Sequence, residues 1–187
     1  VGIVASANRV NLALVKDCLE EIDQRLSSTN GGYRFQIHIA GQIKDMAERL
    51  PAKDAALFNR PWVKMLGFVE DIGDFYKDMD LILSPVTMGT GINVKTVQAM
   101  AYGMPLLTTE CGAKGIETNH PCHMHKDLAS LVGDLLSLSE HPDQLKPLAE
   151  LSRKRYLDFY EKSSQAITDL FSHPCLLYTS DAADDLL

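Results

Sequence analysis

Apolar residues along this chain fall into two alternating patterns: short unbroken runs, and longer stretches where they recur every three or four positions. Buried strands give the first pattern and amphipathic helices the second, so the alternation predicts an α/β fold on a parallel sheet with helices on both faces. Residues 1–6 read as a strand, and 11–26 as a helix with Leu12, Val15, Leu19 and Ile22 on one face. A turn follows over 27–32, an alternating strand over 33–40, a short helix over 43–50, and a loop or helical turn over 51–60. The third strand is read over 62–69 and a short helix over 71–77. Beyond Glu110 the pattern is irregular to His125. Helical spacing then returns over 127–138, over 141–151 with His141 before Pro142 marking a start, and on to about 171.

The densest information lies between Asp80 and Thr109. The run Leu81-Ile82-Leu83 reads as a buried strand, ended by Pro85, which has no N–H for a ladder bond. Gly89 and Gly91 can take positive φ and let a ligand approach the backbone. From Ile92 to Tyr102 the positions Val94, Val97, Met100 and Ala101 keep helical spacing, and Gly103 with Pro105 stops the helix. Free N–H groups at that helix start, aided by the helix dipole, form an expected anion site. Lys95 lies in the first turn and leans toward the same anion. Gly91, Lys95 and Gln98 share one stripe, along which a phosphate ester and its sugar would lie.

Three phosphate-binding patterns compete for this segment. A P-loop matches Gly89 to Thr96 except that Val94 replaces the second glycine. A β-branched residue resists that loop conformation. A dinucleotide fold matches Gly89, Gly91 and an acid, Glu110, after the next strand, but Val94 again replaces a glycine. The third pattern fits without a forced substitution. The run Gly89-Thr-Gly-Ile-Asn-Val-Lys95, continued to Thr109 and by Gly112-Ala-Lys-Gly-Ile116, resembles the donor-site signature of GT-B glycosyltransferases, most closely family 4. The segments 63–69, 71–76 and 37–41 resemble, in order, the elements preceding that signature.

The resemblance implies a Rossmann-like sheet forming the C-terminal half of a GT-B fold. It also implies transfer of a sugar, with retention, from a nucleotide-diphosphate sugar. It assigns backbone donors to Gly89, Gly91, Ile92 and Asn93, and makes Lys95 the catalytic cation that neutralises the leaving diphosphate. Thr90 and Gln98 stand where many members carry two Glu residues, near the donor sugar and on the ribose; Gln98 would hold the ribose by accepting one hydrogen bond and donating another. Gly67, Phe68 and Val69 fall where the base edge lies. Arg9 and Lys16 are the basic residues on offer near the first strand. No cofactor and no dedicated catalytic metal are implied.

Residues 1–172 are expected to form one nucleotide-sugar-binding domain, because 187 residues with 45% apolar content can bury a sizeable core. The chain opens inside a strand without Met, which suggests that an N-terminal acceptor domain is missing and that the piece is inactive alone. From Cys175 the sequence resembles translated cloning read-through, so 173–187 reads as a non-native tail. A formal charge of −7 argues against a nucleic-acid surface. The same charge argues against an anionic-membrane surface, no window approaches the ~18 apolar residues of a membrane span, and membrane association is otherwise unknown from the sequence. Four cysteines without framework spacing suit a reduced, cytoplasmic setting.

His120-Pro-Cys-His-Met-His125 offers zinc-ligating types, but too crowded for a tetrahedral site without a second segment, and reads as a loop and short strand beside the donor pocket. His38 reads as a packed or edge histidine, and Arg153-Lys-Arg155 as a solvated face. A phosphorylation receiver is disfavoured, since the first strand ends in Ser6-Ala7-Asn8 without acids. Two other readings remain: an NAD(P)-binding oxidoreductase domain using Glu110, and a noncatalytic nucleotide-sugar-binding module, which Gln98 would suit.

Overall fold

The computed structural model describes residues 1–28 and 33–172; most of the turn expected over 27–32, and the whole tail over 173–187, lie outside the described residues. Five strands form one sheet: β1 (Gly2–Val4), β2 (Ile37–Ala40), β3 (Val63–Gly67), β4 (Ile82–Ser84) and β5 (Leu106–Thr108). All neighbours are parallel, in the order β3-β2-β1-β4-β5. Parallel neighbours require crossovers. These are supplied by α1 (Arg9–Ser28), α2 (Ile43–Ala47), α3 (Ala52–Phe58), α4 (Ile72–Lys77) and α5 (Val94–Ala101), followed by α6 (Leu128–Glu140) and α7 (Leu145–Ser172). The expected Rossmann-like α/β sheet is what the chain forms.

Successive strand residues point to opposite faces and so feed two cores. Ile3, Leu81, Leu83 and Leu107 pack with Val15, Leu19 and Ile22 of α1 and Leu131 and Leu135 of α6. Ile82 and Leu106 pack the other way, with Phe75 and Tyr76 of α4 and Met100 of α5. Strands buried on both faces explain why they read as unbroken apolar runs.

Several boundaries differ from expectation. The strand expected over 33–40 is confined to Ile37–Ala40. Its ladder can run only as far as its neighbours, and β1 pairs with it over Gly2–Val4. The first strand is likewise shorter than 1–6: Ser6 belongs to the β1–α1 turn, where the Asn11 side-chain amide donates to its carbonyl and hydroxyl oxygens. The loop over 51–60 contains α3, with Pro51 at its N-cap, and Phe58 anchors its end in the core. The two helices expected over 141–171 are one, α7, preceded by a 3-10 turn over Pro142–Gln144. Pro147 falls in the first turn of α7, where it is tolerated, and no Gly or Pro follows before Ser172. Among the described residues no helix is long and apolar enough to cross a membrane.

The C-terminal ends of the strands are drawn together by glycine. Gly41 has φ +119°, and its N–H donates to the Gly67 carbonyl at 2.6 Å. A Cβ on Gly41 would lie 2.1 Å from the Ala5 carbonyl oxygen. Gly41→Ala should therefore cost about 1–3 kcal/mol through backbone strain and overpacking, measured by urea denaturation. A loss below about 0.5 kcal/mol, the range of an ordinary surface substitution, would contradict this close approach.

Candidate functional site

The β1 crossover through α1 leads to β2 on one side, whereas the β4 crossover through α5 leads to β5 on the other. A crevice opens beyond the carboxyl ends of β1 and β4, the place where open α/β sheets bind ligands. Beside it, over the ends of β1, β2 and β3, lies a cleft of about 400 Å³, lined by Ser6 after β1, Gly41 after β2, Phe68, Val69 and Glu70 after β3, and Lys95 from α5. Phe68 is 71% exposed, so its ring offers a free apolar face on the wall. Gly67 precedes it with φ +75° and turns the chain out of β3.

Lys95 is half-buried, and burial holds its ammonium below the ordinary lysine pKa. No carboxylate or carbonyl among the described residues pairs with the ammonium. The floor beneath it is fixed by hydroxyls. Ser84 Oγ and Thr96 Oγ1 share a hydrogen bond of 3.2 Å, and Thr108 Oγ1 donates to the Ser84 carbonyl at 2.9 Å. The Thr109 hydroxyl donates to the Val86 carbonyl and accepts from the Gly112 N–H. These bonds tie the end of β4, the first turn of α5 and the end of β5 into one unit.

The helix start differs from the expected anion site in one respect. Asn93 Oδ1 accepts from the N–H groups of both Lys95 and Thr96, at 3.1 and 3.2 Å. A side-chain cap thus occupies two donors that sequence reasoning left for an anion. The N–H groups of Gly91, Ile92 and Val94 make no hydrogen bond among the described residues.

In the loop before α5, Gly91 does not use positive φ, contrary to expectation; Gly89 has φ +153°. A Cβ on either would meet nothing within 4 Å. Internal crowding therefore does not require these glycines, and the space beside them is open. Thr90 is exposed between them. Ile92 points elsewhere: a Cβ on Gly115 would lie 2.7 Å from its side chain, and Ile92 lines a separate cavity with Arg155 and Phe159. Gln98 lies one turn beyond Lys95, with Oε1 accepting from the Tyr76 hydroxyl at 3.3 Å. Burial, then the neighbouring Tyr102, pushes the Tyr76 phenol above its ordinary pKa.

The structure thus gathers Lys95, Phe68 and Val69 around one cleft, with Gly67 at its wall, Gln98 on the adjoining turn and Gly89 to Gly91 at the open helix start. The Ile92 side chain and the Asn93 carboxamide serve the scaffold instead. Lys16 pairs with Asp54 at 3.8 Å, and Arg9 is exposed at the start of α1. Arg155, expected on a solvated face, is half-buried and contacts Asp158 at 3.3 Å, because its face of α7 packs toward the sheet; Arg153 and Lys154 are exposed.

The His-Cys segment is a turn and a short bridge at the end of β5. It forms a 3-10 turn over Pro121–His123 and a single parallel bridge from Thr109 to His125, beyond β5, and does not line the Lys95 cleft. His120 Nδ1 accepts from the Cys122 N–H, and His125 bonds to the Thr108 carbonyl and to Asp134. His38 contacts Gln36 at 3.3 Å at the other end of the sheet. An Asp-x-Asp triplet, Asp78-Met79-Asp80, also stands in the sequence, but it precedes β4 and lines a cavity at the amino ends of the strands. Glu110 is exposed and does not line the Lys95 cleft.

Residues 1–141 match the model of the family described as glycosyl transferases group 1. No curated protein matches the chain significantly. Among solved structures, TarM of S. aureus superposes with TM-score 0.68 at 16% identity, covering 92% of this chain and 35% of TarM. HepE from Anabaena, in complex with UDP and glucose, gives 0.65 at 18% identity, covering 91% and 48%. The C-terminal domain of LpcC, a glycosyl transferase group 1 family protein from Francisella tularensis, gives 0.62 at 16%, covering 85% of each chain. This chain therefore spans about a third to a half of the TarM and HepE chains, and at these identities the likeness is one of fold.

The Asn93 cap can be checked directly. Asn93→Ala should cost about 1 kcal/mol of stability, with faster amide hydrogen exchange at Lys95 and Thr96. Unchanged exchange at both amides would remove Asn93 from the cap.

Proposed function

This chain belongs to the glycosyl transferases group 1 family, and we propose that its residues 1–172 form the domain that binds a nucleotide-diphosphate sugar for transfer to an acceptor, with retention of configuration as in GT-B enzymes of family 4. A second, acceptor-binding domain would complete the active site. The observation that carries this reading is the half-buried Lys95 ammonium, without a protein partner, in the crevice at the strand ends. UDP bound to HepE, a protein of the same fold, supports a nucleotide in the role of ligand.

In this reading the diphosphate lies against the free N–H groups of Gly91, Ile92 and Val94 and against Lys95. The open space beside Gly89 and Gly91 lets phosphate oxygens reach the backbone. Phe68 and Val69 face the base, and the ribose runs along α5 toward Gln98. As the bond from sugar to diphosphate breaks, negative charge grows on the departing phosphate oxygen. A preorganised ammonium and N–H groups stabilise that charge more than they stabilise the intact donor, and this difference lowers the barrier. The oxidoreductase alternative is less well supported, because Glu110 stands outside the cleft.

Calorimetric titration with UDP, GDP, ADP, UDP-glucose and NADH tests the reading. One nucleoside diphosphate should bind, and Lys95→Met should weaken it by about 1–3 kcal/mol; binding of NADH alone would overturn the proposal. The pH dependence has a definite sign. Burial lowers the Lys95 pKa in the free protein, and a bound diphosphate would raise it again. Affinity should hold at neutral pH and fall as pH rises through the lowered pKa, and that fall should vanish in Lys95→Met. Gly91→Ala gives a further check: with open space at the Cβ position and no positive φ, stability should change by less than about 0.5 kcal/mol. Nucleoside-diphosphate binding should fall about tenfold, since one backbone-to-phosphate contact is worth roughly 1.4 kcal/mol. Equal affinity in that variant would take the ligand away from the glycine loop.

A further inference from the structure

Ile72 on α4 and Lys95 on α5 both line the cleft. Tyr76 and Gln98 lie one turn further along the same two helices, and the Tyr76 hydroxyl donates to Gln98 Oε1 at 3.3 Å. Tyr76 has little freedom to move. It is 1% exposed, stacked on Tyr102 with ring centroids 4.7 Å apart and edge-on to Phe75 at 5.8 Å. Its hydroxyl makes no other hydrogen bond among the described residues. A buried phenol left without an acceptor would lose the energy of its O–H donor, so the amide is held oxygen-inward.

The amide group is planar, with oxygen and nitrogen on opposite sides of the carbonyl carbon. Turning Oε1 toward Tyr76 therefore turns Nε2 away from it. Nε2 donates to nothing among the described residues. The stripe formed by the Gly91 N–H, the Lys95 ammonium and the Gln98 Nε2 thus presents hydrogen-bond donors. A carboxylate at position 98 would present only acceptors and would call for hydroxyl hydrogens on its ligand.

We propose that Tyr76 is a positioning residue that fixes Gln98 as a hydrogen-bond donor, so that this site recognises the ribose of its nucleotide through an acceptor oxygen rather than through the sugar's hydroxyl hydrogens. The inference rests on the donor-binding reading above and specifies how the site reads the sugar attached to the base.

The test compares methyl ethers, which keep the ribose oxygen and lose its hydrogen, with deoxy sugars, which lose both. Calorimetry is run with UDP and its 2′-deoxy, 3′-deoxy, 2′-O-methyl and 3′-O-methyl forms. At one of the two positions the deoxy form should bind about tenfold more weakly than UDP, and the methyl ether no more than about threefold. In Gln98→Glu, the methyl ether should become as weak as the deoxy form. Tyr76→Phe keeps the stacked ring but frees the amide, and there the gap between ether and deoxy should shrink to less than about twofold, with the fold checked by denaturation. An ether that binds the wild-type protein as weakly as the deoxy form overturns the inference while leaving nucleotide binding intact. So does a gap unchanged in Tyr76→Phe. Failure of the folded protein to bind UDP, GDP or ADP overturns the donor reading and this inference together.

Discussion

The geometry of the site depends on β1 and β4 lying side by side while their crossovers leave in opposite directions. If both crossovers left on the same side, a helix would cover the strand ends. Because they diverge, the turns after β1 and β4 open away from each other, and α1 and α5 both begin close to the gap. Glycine tightens the arrangement from the other side. Gly41 lets β2 approach β1 so closely that no side chain could fit against the Ala5 carbonyl, and its N–H engages Gly67 at the end of β3. Three strand ends and one helix start are thereby brought around a single cleft.

That scaffold carries an unfavourable element. Removing part of the hydration from a lysine ammonium without a counter-charge disfavours folding, and the lowered pKa of Lys95 reflects this. The hydroxyl network beneath it stabilises the helix start, but it places no acceptor on the ammonium. Asn93 acts similarly for the backbone: it satisfies the Lys95 and Thr96 amides and leaves the preceding N–H groups open. The unsatisfied donors therefore collect at one point, where the proposed diphosphate would supply acceptors that the fold does not. A site of this kind gains affinity from strain already present in the free protein.

The α/β class and the order of elements were legible in the sequence because strands buried on both faces leave unbroken apolar runs, and because Gly103 and Pro105 mark the end of α5 plainly. The glycine loop and Lys95 were legible for the same reason: their meaning is local. Asn93 as a cap also has a local signal, since Asn before an apolar helical stretch is a common start signal. Other features had no local signal. Strand lengths depend on how far a neighbour pairs, the burial of Arg155 depends on how α7 lies on the sheet, and the Tyr76 to Gln98 bond joins residues 22 positions apart through the register of two helices. Which end of the Gln98 amide is free likewise depends on a partner that periodicity does not reveal.

The larger cavity, about 760 Å³, lies at the amino ends of the strands and holds the Asp78-Met79-Asp80 triplet and His38. The Lys95 cleft is smaller at about 400 Å³. Size alone would favour the first, but electrostatics favours the second. Both α1 and α5 direct their amino ends, with the positive end of the helix dipole, toward the carboxyl ends of the strands. Lys95 adds a full charge there, and the open glycine loop admits phosphate oxygens to the backbone. At the opposite end, Asp78 and Asp80 would repel a diphosphate, with only Arg34 and the Val1 amine to offset them. Under the proposed function, an anionic nucleotide would meet Lys95 and two helix amino ends at one end of the sheet, against the single carboxylate of Glu70, and two carboxylates at the other; this difference, rather than cavity volume, favours the Lys95 cleft in that reading.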